Sequence, residues 1–199
     1  KFVKTTYCGQ NETFSPKSIF LREENMARGT KTTDFLKECM ADALLKLMKD
    51  RNIDKITVTE ITSLAGVGRS TWFRHFTTKS EALTFKLVAL WRRWSEERNI
   101  AERQRFNLEN SRDFFIFNYN NRNLLKTLYA TGLQTCIYDA FCIIMMPQYD
   151  ATQLERYQSR FYAYGVFGLL GEWVARDFHE TPDEMVDLFY RVMDDRSTL

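Results

Sequence analysis

The rarest reactive side chains of this chain offer little. Histidine occurs at His75 and His179, and cysteine at Cys8, Cys39, Cys136 and Cys142, with no CxxC pair and no His at ligand spacing from a Cys. No nucleophile and base can be paired and no phosphate-cradling glycine loop occurs, so no catalytic residue, no metal and no cofactor is expected. More chemistry lies in Arg69, Ser70, Thr71 and Trp72, which directly follow Gly66-Val67-Gly68. A guanidinium can donate twice to guanine O6 and N7. Short hydroxyls suit base edges or a thymine methyl, and an indole supplies an apolar or stacking surface. At a protruding helix end these four residues could read a DNA duplex. Trp72 has an equal claim to a place between packed helices, and Phe73 and Phe76 read as core.

Such an end has to be built by its neighbours. From Thr33, apolar residues recur at spacings of three and four (Phe35, Leu36, Cys39, Met40, Ala43, Leu44, Leu47, Met48), which predicts an amphipathic helix to about Asp50. Thr57-Val58-Thr59-Glu60 is a capping box that starts a second helix burying Ile61, Leu64 and Ala65. Gly66 can take a positive φ, Val67 is an apolar plug, and Gly68 opens a third helix through Phe76. Two short helices joined by a glycine turn form a helix-turn-helix. A fourth helix is predicted from Lys79 to about Arg105, with Leu83, Leu87, Leu90, Trp91 and Trp94 on its stripe.

Beyond it, helical periodicity covers 112–120, 122–130, 133–145, 152–178 and 182–194. The last segment opens on Thr181-Pro182-Asp183-Glu184, with Pro at the first helical position and a second capping box. With three Pro and eight Gly in 199 residues, turn residues are too sparse for a β-sandwich or barrel. The fold class is therefore all-α. The domains expected are an N-terminal arm at 1–29, a three-helix DNA-binding domain with its helix-turn-helix at 30–78, and a helical ligand-binding and dimerisation domain at 79–199. The arm is either a natural extension ahead of Met26 or a translation artefact.

Charge is distributed unevenly along the chain. Residues 26–105 hold 16 basic and 10 acidic side chains, whereas residues 106–199 hold 8 and 13. A basic front half joined to an acidic back half points to a polyanion partner for the front alone; the other reading is a chance asymmetry of solvated helix faces. No apolar run reaches the ~18 residues of a membrane span, and the start lacks the pattern of a signal peptide. With cysteines that read as reduced thiols, a soluble cytoplasmic protein without membrane partners is expected.

The stretch 57–83 resembles the DNA-binding domain of the TetR family of transcriptional regulators through Thr57, Ile61, Ala65-Gly66-Val67, Thr71, Phe73, His75-Phe76, Lys79 and Leu83. The resemblance extends over residues 30–95 and implies phosphate contacts from His75 and Lys79, together with Thr57 at the start of the second helix. Two positions depart from the family pattern. Phe73 stands where Tyr is usual, removing a hydroxyl that commonly reaches phosphate, and Gly68 stands where Ser or Thr often caps the recognition helix.

The segment 161–173, with the Thr-Pro-Asp-Glu helix start after it, is similar to the C-terminal domain of a subgroup that includes the dihydroxyacetone-kinase operon activator. The resemblance implies a homodimer on a pseudo-palindromic operator, with the last two helices of each chain forming a four-helix interface. Gly165, Gly168, Gly171, Trp173, Met185 and Phe189 would lie in it. The three glycines recur every third residue, a pattern that close approach of another helix, in the same chain or across a dimer axis, would compensate. An effector pocket implied by the family would use Phe114, Phe117, Tyr129, Tyr138, Phe141, Tyr162 and Phe167, although large aromatic rings also fill cores. The function expected is a regulator, repressor or activator, controlled by a small-molecule effector; the alternative is an activator whose C-terminal domain binds a partner protein.

Overall fold

Local capping and apolar periodicity produce the helices of this protein, which a computed structural model describes for residues 31–100, 111–145 and 150–194. The expected arm at 1–29, including Cys8, lies outside the described residues. Among those described, every regular element is helical: α1 (Lys31–Leu47), a 3-10 turn (Ile53–Lys55), α2 (Val58–Ala65), α3 (Arg69–His75), α4 (Lys79–Glu97), α5 (Ser111–Asn120), α6 (Arg122–Ala130), α7 (Thr135–Ile144), α8 (Gln153–Ala175) and α9 (Pro182–Asp194). The chain divides into two units, Lys1–Leu36 and Lys37–Leu199. The first contributes the opening residues of α1. The second carries the remainder.

Within the second unit, α2 packs on α3, α4 on α7, α7 on α8, α6 on α8, and α5 on both α6 and α9. The buried set of the head comprises Met40, Leu44, Met48, Ile56, Ile61, Trp72 and Phe76. Leu64 departs from the expected pattern. It is exposed, and the polar Thr62 is buried in the same helix, its hydroxyl donating to the carbonyls of Val58 and Thr59. That arrangement satisfies the hydroxyl within its own turn and removes the cost of burying it unpaired.

The fourth helix ends eight residues before the Arg105 read from periodicity. Asn99 takes a left-handed φ of 54°. The amide of Ile100 donates to Ser95 O at 2.9 Å and that of Asn99 to Glu96 O at 3.1 Å, a double bond pattern that closes a helix terminus. The same device ends α2, where Gly66 has φ 69° and the Val67 amide donates to Thr62 O at 2.9 Å.

Aromatic packing and ion pairs join the distal helices. Phe115 meets Trp173 and Phe189 with ring centroids 5.9 and 6.1 Å apart, and Trp173 lies 4.8 Å from Phe178. The Trp173 indole donates to Glu180 O at 3.0 Å, so a fully buried ring keeps its polar atom satisfied. Arg112 pairs with Asp183 at 2.7 Å between α5 and α9, and Lys126 on α6 pairs with Asp177 just beyond α8.

Candidate nucleic-acid interface

The turn before α3 is set by backbone, not by a side-chain cap. Gly68 is the N-cap residue, extended at φ −75° and ψ 151°, and no side-chain hydrogen bond caps the helix. Seven residues of α3 are then anchored from one side. Trp72 is 1% exposed and its ring lies 5.2 Å from that of Phe76, which in turn meets Phe85 of α4 edge-on at 5.9 Å. Burying an indole and a phenyl ring on one stripe fixes the rotation of the helix, and whatever lies opposite faces out.

Arg69 and Ser70 are exposed on that outer side, and Thr71 is half-buried. Trp72 is not available to bases, which corrects its assignment as a DNA contact: its surface is consumed by the hydrophobic interior. Phe73 is corrected in the opposite sense. It is 61% exposed, with the Arg69 guanidinium 6.0 Å from its ring centre. Arg74 beside it is also exposed, and His75 is half-buried. A seven-residue helix presents two neighbouring aromatics to different faces, and periodicity alone left open which one turned inward.

Thr57 and Lys79 have structural duties. The Thr57 hydroxyl donates to Glu60 Oε2 at 2.8 Å and accepts from the Glu60 amide at 3.2 Å, and the Thr57 amide also donates to Glu60 Oε2 at 2.8 Å. Both donors of Thr57 are engaged inside the capping box, so Thr57 positions α2 while remaining exposed. Arg51 reinforces the box by donating to Glu60 Oε1 at 2.6 Å and to Lys55 O at 2.7 Å. The Arg51 hydrogen bond and those from Thr57 hold the Glu60 carboxyl at about 2, well below its usual 4.5. Lys79 Nζ donates to Ile53 O at 2.7 Å, joining the start of α4 to the turn ahead of α2. Two ammonium donors remain for other acceptors.

Sequence periodicity did not reveal the ion network joining α1 to α4. Lys86, 8% exposed, reaches Glu38 at 3.3 Å and Asp42 at 2.8 Å, while Arg93 reaches Glu38 at 2.6 Å. Burial opposes ionisation of Glu38, but Arg93 and Lys86 outweigh it and lower its pKa. Cross-helix pairing of this kind leaves no signature at fixed sequence spacing.

The candidate pocket residues separate into two groups. Phe114, Phe117 and Phe141 are buried. Trp91 meets Phe117 at 5.1 Å and Phe114 at 6.3 Å, and Phe114 lies 5.2 Å from Phe141. These three are corrected to core residues, because ring packing leaves them almost no surface to offer. Tyr129, Tyr138, Tyr162 and Phe167 are half-buried. Tyr129 stacks on Phe167 at 6.3 Å, and Tyr138 lies 5.7 Å from Phe167 and 4.4 Å from Tyr164. The Tyr129 hydroxyl is buried without a hydrogen-bond partner among the described residues, and burial raises its pKa.

The proposed interface residues also divide. Trp173, Met185 and Phe189 are buried in their own chain and are corrected to core. Gly171 is corrected as well, because its close neighbour is intrachain: a Cβ there would lie 3.1 Å from the Tyr129 hydroxyl. Gly165 and Gly168 are exposed, with nothing within 4 Å of where a Cβ would sit. They share a helix face with exposed Leu154, Tyr157 and Phe161, three apolar residues absent from the sequence-based interface.

Among the described residues, no cluster of His, Cys, Asp and Glu is suited to a metal ion, and no helix is long and apolar enough to cross a membrane. No curated protein matches the chain. Residues 107–195 match the family model TetR_C_8, a transcriptional regulator C-terminal region, and every regular element among the described residues is helical, as that match requires.

Proposed function

We propose that the protein is a cytoplasmic, homodimeric regulator that places α3 of each protomer in successive major grooves of a pseudo-palindromic operator and responds to a small-molecule effector in its distal helices. The observation that carries this reading is the two-sided construction of α3: Trp72 is buried in the head while Arg69 and Ser70 stay exposed on the other side. Arg69 supplies the bidentate guanine contact, Ser70 and Thr71 meet neighbouring base edges, and His75 and Lys79 meet phosphates. Recognition helices spaced by one duplex turn, about 34 to 36 Å, require two copies of the head. The exposed apolar face of α8 supports pairing of the copies. Half-buried Tyr129, Tyr138, Tyr162 and Phe167, including a hydroxyl with no described partner, support the effector site.

Control then follows from linkage. An effector that favours a dimer whose heads no longer match the groove spacing weakens operator binding by the same factor by which operator weakens effector binding. The test is a salt-controlled titration on duplex DNA selected from a random library by the full chain. Arg69→Ala should lose ~1–3 kcal/mol of specific affinity and relax preference at one base pair of each half-site. Equal affinity and preference in parent and variant would remove Arg69 from the reading surface.

A further inference from the structure

The ring of Phe73 is a large apolar surface in an unusual place. It sits on the solvent side of a seven-residue helix, flanked in sequence by exposed Arg74 and lying one turn from exposed Arg69. Its neighbour Trp72 has taken the interior position, so the ring is not needed to close the core. The Arg69 guanidinium at 6.0 Å is near the outer limit for a cation over a ring, and most of the Phe73 side chain stays exposed. The surrounding charge is basic, which complements a polyanion. A phenyl ring has no donor for phosphate oxygen, so its gain against duplex DNA comes from an apolar feature of the groove floor. In the major groove that feature is the C5-methyl of thymine.

We propose that Phe73 is a specificity-determining residue that packs against a thymine methyl adjacent to the guanine read by Arg69. The inference rests on the DNA-binding reading above and assigns it one further base position. Four residues of helix advance roughly 6 Å along its axis, close to two base-pair steps of about 3.4 Å. The thymine therefore lies one or two base pairs from the guanine. The contact adds sequence preference without adding charge, so it leaves the salt dependence of binding unchanged.

The experiment uses the full chain and the duplex it selects from a random library. Each thymine of one half-site is replaced in turn by uracil, which deletes only the methyl group. The parent should lose about fourfold in affinity at a single position, and Phe73→Ala should bind the thymine and uracil duplexes equally while keeping the parent's slope of log affinity against log salt. Phe73→Leu should retain part of the thymine preference. Because the ring is exposed, the thermal midpoint of both variants should stay at the parent's value. Uracil penalties identical in parent and Phe73→Ala, or a salt slope reduced by about one in that variant, would overturn the thymine contact while leaving DNA binding intact. Failure of the parent to enrich any sequence would instead overturn the underlying reading as well.

Discussion

Glu60 shows how one carboxylate can organise the start of a helix and the segment ahead of it. Its Oε2 accepts from both the amide and the hydroxyl of Thr57, and its Oε1 accepts from Arg51. These donors favour the charged form, which sets a definite sign for the pH response. A carboxyl whose folded pKa is depressed contributes its stabilisation in full above the ordinary value of 4.5 and loses it as pH falls through the folded value of about 2. The side-chain carbonyl resonance of Glu60 should therefore titrate with a midpoint near 2, and Arg51→Ala should move it upward towards 4.5. A midpoint already at 4.5 in the parent would show that the box and its Arg51 brace do not persist in solution. The pairing of Thr57 with Glu60 was legible in the sequence because a capping box is local. The participation of Arg51, nine residues away, was not, since it depends on how the intervening 3-10 turn folds back.

Helix termini explain both the legible and the hidden parts of the fold. Thr181-Pro182-Asp183-Glu184 announces the start of α9, and the Glu184 carboxylate indeed accepts from the Thr181 amide at 2.7 Å. The end of α4 carries no comparable signal, because a left-handed Asn99 is one option among several for that residue and apolar spacing continues past it. Gly66 lies between these cases. Its left-handed φ was readable from a glycine between two helical patterns, and the Val67 amide bond to Thr62 O completes the motif. Nothing lies within 4 Å of where its Cβ would sit, so replacing it tests backbone strain alone. Gly66→Ala should destabilise the protein by about 1 kcal/mol, read as a lower urea midpoint with an unchanged slope. Gly66→Asn should cost less, because Asn tolerates the left-handed region better. If Gly66→Ala is neutral, the turn does not hold this φ in solution. The Trp72 and Phe73 exchange has a different cause: over seven residues, adjacent positions lie about 100° apart, and two aromatics satisfy an apolar stripe equally well until tertiary packing selects one.

At the scale of the molecule, charge and surface hydrophobicity separate two tasks. The basic excess of residues 26–105 was visible as a tally, but the network of Lys86 and Arg93 with Glu38 and Asp42 shows that part of that charge is paired between α1 and α4, with Lys86 buried. The glycine stripe of α8 was likewise visible as a spacing, yet its members differ: Gly171 admits Tyr129 of the same chain, whereas Gly165 and Gly168 open outward beside Leu154, Tyr157 and Phe161. Small residues among large apolar ones let a second helix approach closely, which suits pairing of two chains through α8. Gly168→Leu isolates that role. The added side chain meets no atom of its own chain within 4 Å of the Cβ position, and leucine favours the helix over glycine by roughly 1 kcal/mol, so the monomer should be as stable as the parent or more so. Overpacking at a tight helix contact costs ~1–3 kcal/mol, which corresponds to a dimer weakened by about 5- to 160-fold. Sedimentation equilibrium over a concentration series reads that change directly, with thermal unfolding at high dilution as the check on the monomer. An identical dissociation constant for the two proteins would move the dimer contact away from this face of α8, and the two heads would then need another way to be held one duplex turn apart.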